Sequence, residues 1–123
     1  MITSHFNRDT GIVETVFTGI VTFEDVVEYI HRLGNGDKYP GRLLILTDSI
    51  KGRFELTSEE DQKIGEAVRK YASQFEQIKD ALIINDPRTT AYSVLYRNAT
   101  SNIPNYQFEI FSTREAAIKW LLG

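Results

Sequence analysis

Two segments near the N-terminus have the β-branched and apolar content that is typical of strands. They are residues 2–7 and residues 12–21, IVETVFTGIV. The residues between them, NRDTG at 7–11, are polar and end in glycine, which is the pattern of a hairpin turn. We therefore expect the two strands to be antiparallel neighbours at one edge of a sheet.

After residue 21 the apolar spacing changes from that of strands to that of helices. The segment TFED at residues 22–25 has the form of a capping box and begins helix one, which Gly34 would end. Helix two begins at Thr57. Its apolar positions recur at spacings of three and four, the pattern of a buried helical stripe, over Ile64, Val68, Tyr71, Phe75 and Ile78.

Two further helices are predicted in the second half of the chain. Asp86 and Pro87 supply an N-cap and then a proline at the first helical position, so helix three begins there. The segment STRE at residues 112–115 has the form of another capping box with Ser112 as its N-cap, and helix four follows it.

Three apolar segments between the helices predict the remaining strands, at residues 43–48, 81–85 and 106–111. Residues 35–41 contain glycines and a proline and predict a loop. Because strands and helices alternate, the strands should be parallel and joined by right-handed crossovers. The prediction is a single α/β domain over residues 1–123, ordered β-β-α-β-α-β-α-β-α, with a mixed five-stranded sheet, an antiparallel N-terminal edge strand and four helices.

Composition narrows the classes of function. The chain has 123 residues, 41% of them apolar and 25% charged, as in ordinary globular domains. The net charge of −3 and the lack of a basic segment argue against nucleic-acid binding. No residue is cysteine, so disulfides, zinc–thiolate sites and thiol nucleophiles are excluded. We find no secretory signal and no apolar run of the roughly 20 residues that span a bilayer, and we expect a cytoplasmic protein.

No motif in the chain points to a cofactor, a metal or a catalytic centre. His5 and His31 have no second ligand at metal-binding spacing, and phosphate-binding and nucleophile motifs are absent from the sequence. The acidic segment Glu59-Glu60-Asp61 lies in the first turn of helix two, where the helix dipole explains it. We therefore expect a non-enzymatic protein without a cofactor or a metal.

A ligand site, if one exists, should lie beyond the carboxyl ends of the parallel strands, where open α/β sheets bind their ligands. Six polar residues follow strands three and four there: Asp48, Ser49, Lys51, Arg53, Asn85 and Arg88. Helix N-termini open on the same rim and favour anions. The rim thus predicts a binder of a small anionic or lipid-like ligand. Capping, loop organisation and solvated charge are the alternatives for these polar residues.

The chain also resembles the STAS domains, the anti-anti-sigma-factor-like group, and within them the SpoIIAA-like set of small bacterial proteins. The resemblance rests on the segment FEIFSTREAAIKWL at residues 108–121 and on the apolar strand 44–48, which ends in aspartate. In the anti-anti-sigma branch a kinase phosphorylates a serine at the start of helix two, within Asp-Ser-Ser-Gly. The counterpart here, LTSE at residues 56–59, keeps the hydroxyls and lacks that aspartate and glycine.

The resemblance implies a STAS-like, non-enzymatic regulatory or protein-interaction module. Its candidate phospho-acceptors or partner contacts are Thr57, Ser58 and Phe54, and its protein partner is not identified by the sequence. Edge strands and apolar helix faces are also compatible with a homodimer. The ligand binder described above is the alternative hypothesis.

Overall fold

The computed structural model describes residues 1–34 and 41–123, so most of the loop predicted at 35–41 lies outside the described residues. The strands are β1 (Ile2–Asn7), β2 (Ile12–Phe17), β3 (Gly19–Thr22), β4 (Arg42–Asp48), β5 (Gly52–Glu55), β6 (Gln77–Ile83) and β7 (Tyr106–Phe111). The helices are α1 (Phe23–Leu33), α2 (Ser58–Ala72), α3 (Pro87–Thr100) and α4 (Arg114–Leu122).

The main sheet has five strands in the order β1-β2-β4-β6-β7. Strand β1 is antiparallel to β2, and the other neighbouring pairs are parallel. Gly11 closes the hairpin with a φ of 76°, a conformation that glycine adopts without steric cost, and its N–H donates to the Asn7 carbonyl at 2.8 Å. The predicted mixed sheet with its antiparallel N-terminal edge strand is confirmed.

A second sheet of two short parallel strands, β3 and β5, was not predicted. The prediction of one continuous strand over residues 12–21 is wrong, because the chain leaves the main sheet between Phe17 and Gly19. Gly19 has a φ of 64°, which turns the backbone out of the sheet. Strand β5 lies so close to this turn that a Cβ on Gly52 would be 2.8 Å from the Cβ of Phe17.

Three of the four predicted helix starts are confirmed. Thr22 and Thr57 are N-caps of capping boxes, and Asp86 caps α3 in front of Pro87. The prediction for α4 is wrong by one residue: its N-cap is Thr113, whose hydroxyl accepts from the Ala116 N–H at 3.2 Å. Ser112 and Thr113 are adjacent and both carry a hydroxyl, so the sequence pattern does not show which of them caps the helix.

The predicted stripe of helix two extends too far. The helix ends at Ala72, and Ile78 belongs to β6. Its side chain is fully buried all the same, at 0% exposure, because the turn at residues 73–76 returns the chain to the same core. Ile78 therefore continued the helical spacing of the stripe by coincidence, as an inward-facing residue of a strand.

Helices cover both faces of the main sheet. The larger core lies between the sheet and α1, α2 and α3, and the smaller one lies beneath α4. Side chains alternate along β6, so Ile78, Asp80 and Leu82 lie on the face toward α1, α2 and α3 while Ala81 and Ile83 point toward α4. The carboxyl group of Asp80 thus faces the interior beneath α1, α2 and α3.

Candidate functional site

A cavity of about 80 Å³ lies between the main sheet and helices α1, α2 and α3. We call it the inner cavity. Most of its lining is apolar, with aromatic rings from several elements: Phe17, Tyr29, Phe54, Tyr71, Tyr92 and Tyr96. One water needs roughly 10–15 Å³ measured in this way, so the space admits several waters or a short hydrocarbon chain.

One wall of the inner cavity is a chain of edge-to-face aromatic contacts. The ring of Phe17 lies 6.3 Å from that of Tyr29 and 5.5 Å from that of Phe54, and Phe54 lies 6.2 Å from Tyr92. Such arrangements bring the positive edge of one ring to the negative face of the next. Phe54 and Tyr92 are half-buried, so this wall extends from the core toward the surface.

Asp61, on the fourth residue of α2, lines the inner cavity. Its exposed fraction is 3%, and its Oδ2 atom has no hydrogen-bond partner among the described residues. Burial disfavours the charged carboxylate and raises the pKa of Asp61 to about 6. This side chain is therefore a buried acid whose hydrogen-bonding capacity the surrounding residues do not use.

Asp80, on β6, lines the same cavity from the sheet side. The Tyr106 hydroxyl donates to its Oδ2 at 2.5 Å, and the hydroxyls of Tyr106 and Tyr96 are also 2.5 Å apart. Burial raises the pKa of Asp80 to about 6, and the bond from Tyr106 opposes that rise. Burial likewise raises the pKa of both phenols well above the usual range, so they remain neutral donors.

Another polar pair lies on the α1 side of this core. Thr15 on β2, at 1% exposure, shares a hydrogen bond of 2.6 Å with the hydroxyl of Tyr29, a residue of the cavity lining. Paired groups of this kind satisfy the rule that buried polar atoms are hydrogen-bonded. The Oδ2 atom of Asp61 departs from that rule.

The six predicted rim residues lie outside the lining of the inner cavity. Asp48 organises the loop after β4 by accepting from the Ile50 N–H at 3.1 Å. Ser49 is 1% exposed, and its hydroxyl donates to the Ile83 carbonyl at 2.8 Å, which joins the ends of β4 and β6. The contact of Asp48 is of the kind that the loop-organising alternative describes, and a role of Asp48 or Ser49 in binding a ligand stays a prediction.

The other four rim residues are exposed: Lys51, Arg53, Asn85 and Arg88. Within residues 1–34 and 41–123, none of the three cations among them forms a salt bridge. Their binding of an anionic ligand stays a prediction. It would take place on the surface and not in the inner cavity.

The three candidate contact residues at the start of α2 differ in their surroundings. Thr57 uses its hydroxyl as the N-cap, accepting from the Glu60 N–H at 3.1 Å. Ser58 is the exposed first residue of the helix. Phe54 is half-buried and belongs to the aromatic wall, so the alternative that it packs on the core describes it in part.

Sequence reasoning missed the two carboxyls that distinguish the inner cavity. Asp61 precedes Ile64 by one helical turn and so continues the buried stripe, but its place in a first turn made the helix dipole a sufficient explanation. Asp80 is an acid at an inward position of a strand, QIKDALI. Polar residues at apolar positions were the available signal in both cases.

Comparisons with known proteins agree with this architecture. No protein-family model and no curated protein sequence matches the chain. A crystal structure is similar to it with a TM-score of 0.60 and 20% sequence identity, covering 98% of this chain and 92% of that one. It is that of a protein from Shewanella loihica PV-4, described as an uncharacterised member of the DUF3478 family with a SpoIIAA-like fold. The chain has the SpoIIAA-like α/β fold, as the sequence resemblance implied.

Two structural features often linked to function are absent from residues 1–34 and 41–123. None of the helices in this part of the chain has the length and apolar character needed to cross a membrane. Over the same residues, no group of three or more His, Asp or Glu side chains is arranged to hold a metal ion.

Proposed function

We propose that this protein binds a small apolar or amphipathic molecule in the inner cavity, without catalysis. The observation that carries the proposal is an apolar space, walled by aromatic rings, whose lining also includes a few buried polar groups. Ligand sites in proteins commonly combine an apolar lining with a few placed polar groups. Of the two ligand types predicted for the rim, the lipid-like one suits this cavity.

The cavity volume limits the bound part of the ligand. About 80 Å³ is smaller than the 300 to 1,000 Å³ of typical drug-sized sites, so a short chain fits without rearrangement. A longer ligand would displace the half-buried rings of Phe54 and Tyr92 or extend past them into solvent.

A titration followed by amide NMR tests this function. Hexanol, hexylamine and hexanoate are added separately to the labelled protein at millimolar concentration. We expect at least one of them to shift resonances of cavity residues on α1, α2 and α3. If none of the three shifts these resonances, the proposed function is wrong.

A pair of variants shows whether binding takes place in the inner cavity. Val26→Phe adds a ring at a lining position that is 9% exposed, and Val94→Phe makes the same change at a position of α3 that is 45% exposed. We expect the first variant to lose the ligand-induced shifts and the second to keep them. If Val26→Phe does not fold, the location of the shifts in the wild-type protein decides the question.

An exposed hydroxyl favours a second candidate, the regulatory module. Ser58 is the exposed first residue of α2, and a phosphate there would be stabilised by the helix N-terminus and repelled by Glu59 and Glu60. Thr57 is less suited, since its hydroxyl caps the helix. Phosphosite mapping of the protein from its native host tests this candidate. Absence of phosphate from both residues in every growth condition would contradict it.

A further inference from the structure

The charge inside the inner cavity has one sign. Among the described residues, its lining contains the carboxyls of Asp61 and Asp80 and no Lys, Arg or His. Buried carboxylates in proteins are ordinarily paired with a cation or with several hydrogen-bond donors. The cavity is therefore suited to a ligand that brings positive charge and donors with it.

Asp61 is the less satisfied of the two acids. Asp80 accepts a hydrogen bond from Tyr106, whereas the Oδ2 atom of Asp61 is buried without a partner in the described part of the chain. Burial is the cause of the raised pKa of Asp61, and no hydrogen bond from the residues that the structure describes counteracts it. A hydrogen-bond donor on a ligand would supply a partner for the Oδ2 atom of Asp61.

Both acids act on the same region of the cavity. Burial is the main cause of the raised pKa of the Tyr96 phenol, which lines the cavity from α3, and the negative charges of Asp80 and, to a smaller extent, Asp61 add to it. A cation near this ring would interact favourably with both carboxylates. Tyrosine faces also attract ammonium groups through their quadrupole.

We propose that the ligand of the inner cavity is a small apolar amine, whose ammonium group donates to Asp61 while its hydrocarbon part contacts the aromatic wall. This inference rests on the proposed function and specifies its ligand class. A neutral alcohol can donate one hydrogen bond and brings no charge. A carboxylate ligand would be repelled by both acids, which excludes fatty-acid-like anions from this space.

The affinities of the three hexyl compounds test the inference, because they share one chain and differ in the head group. At pH 7.5 we expect hexylamine to bind at least tenfold more tightly than hexanol, and hexanoate to bind more weakly than either. An alcohol or a carboxylate that binds as tightly as the amine overturns the inference and leaves the proposed function standing. Failure of all three to bind removes the proposed function itself.

Two variants on the same helix assign the preference to Asp61. Asp61→Asn removes the buried charge, and Glu66→Gln removes a charge from an exposed position of α2. We expect Asp61→Asn to lower the affinity for hexylamine at least tenfold with little effect on hexanol, and Glu66→Gln to change neither. Equal loss in both variants would mean that long-range charge, not a contact with Asp61, attracts the amine.

The pH dependence gives a check that needs no substitution. In the described part of the chain, the titratable groups facing the cavity are Asp61 and Tyr71 from α2, Asp80 from β6, Tyr29 from α1, and Tyr92 and Tyr96 from α3. The two carboxyls have a pKa of about 6 and gain protons as the pH falls from 7.5 to 5. We expect the ratio of hexylamine to hexanol affinity to fall over this range. A ratio that stays constant or rises contradicts a contact with ionised carboxylates.

Discussion

Replacing Asp61 by asparagine should stabilise the protein at neutral pH, and the gain in stability should shrink as the pH falls. The side chain is 3% exposed, and its Oδ2 atom is unpaired among the described residues. Asparagine has almost the same shape and cannot ionise. The substitution therefore removes the free-energy cost of a buried charge while the packing of α2 on the sheet is preserved.

The magnitude follows from the pKa of Asp61, which burial raises from 3.8 to about 6. Each pKa unit corresponds to about 1.4 kcal/mol, so ionising this group in the folded protein costs about 3 kcal/mol at pH 7.5. Because the pKa of Asp61 is higher in the folded protein than in the unfolded chain, this residue costs no stability below pH 3.8. The cost grows as the pH rises and is complete once the pH has passed 6. At pH 4.5 the remaining cost is about 1 kcal/mol.

Urea denaturation at pH 4.5 and pH 7.5, followed by circular dichroism, measures this effect. We expect the free energy of unfolding of Asp61→Asn, relative to wild type, to increase by about 2 kcal/mol between the two pH values. The difference between the proteins cancels the titration of every other group, including Asp80. Glu66→Gln, the exposed control on α2, should stay within about 0.5 kcal/mol of wild type at both pH values. A relative stability of Asp61→Asn that does not change with pH would refute a buried, ionisable Asp61.

Three further predictions concern contacts around this core, each measured by urea denaturation. Tyr106→Phe removes the donor to Asp80 and should destabilise the protein by about 1–3 kcal/mol at pH 7.5. The loss should be smaller at pH 5, because Asp80 is protonated there. An equal loss of stability at both pH values would contradict a hydrogen bond to the ionised Asp80. Gly65→Ala should destabilise the protein by at least about 1 kcal/mol, although alanine has the better helix propensity. The reason is that the new Cβ would lie 2.9 Å from the Ala99 carbonyl oxygen. A gain in stability would show that α2 and α3 can move apart. Asp86→Ala removes the N-cap of α3 and should cost about 1 kcal/mol, so an unchanged midpoint would argue against that cap.

Much of the fold could be predicted from the sequence, because the signals that define it are local. The hairpin depends on a glycine at its turn, and the starts of α1, α2 and α3 depend on hydroxyl or carboxyl caps that bond within three residues: Thr22, Thr57 and Asp86. Apolar runs between capped helices then require a parallel sheet with crossovers. These choices involve neighbours in the chain and are visible without a structure.

The features that the sequence did not predict depend on contacts between distant residues. Strands β3 and β5 are too short to show a pattern, and they exist because the turn at Gly19 brings residues 19–22 beside residues 52–55. The α4 cap was assigned to Ser112 and belongs to Thr113, since one backbone geometry chooses between two adjacent hydroxyls. Either hydroxyl could cap a helix, so the residue types alone did not distinguish Ser112 from Thr113.

The sequence by itself determined that this chain forms a capped α/β domain and where ligands of such sheets would be sought. Only the tertiary structure decided that Asp61 and Asp80, 19 positions apart in the chain, face one cavity while the cations of the rim stay outside it. The reason is that burial depends on which helix covers which strand. A carboxyl in the first turn of a helix has the same local pattern in solvent as in a core, and packing alone makes Asp61 a buried acid whose Oδ2 atom has no partner within residues 1–34 and 41–123.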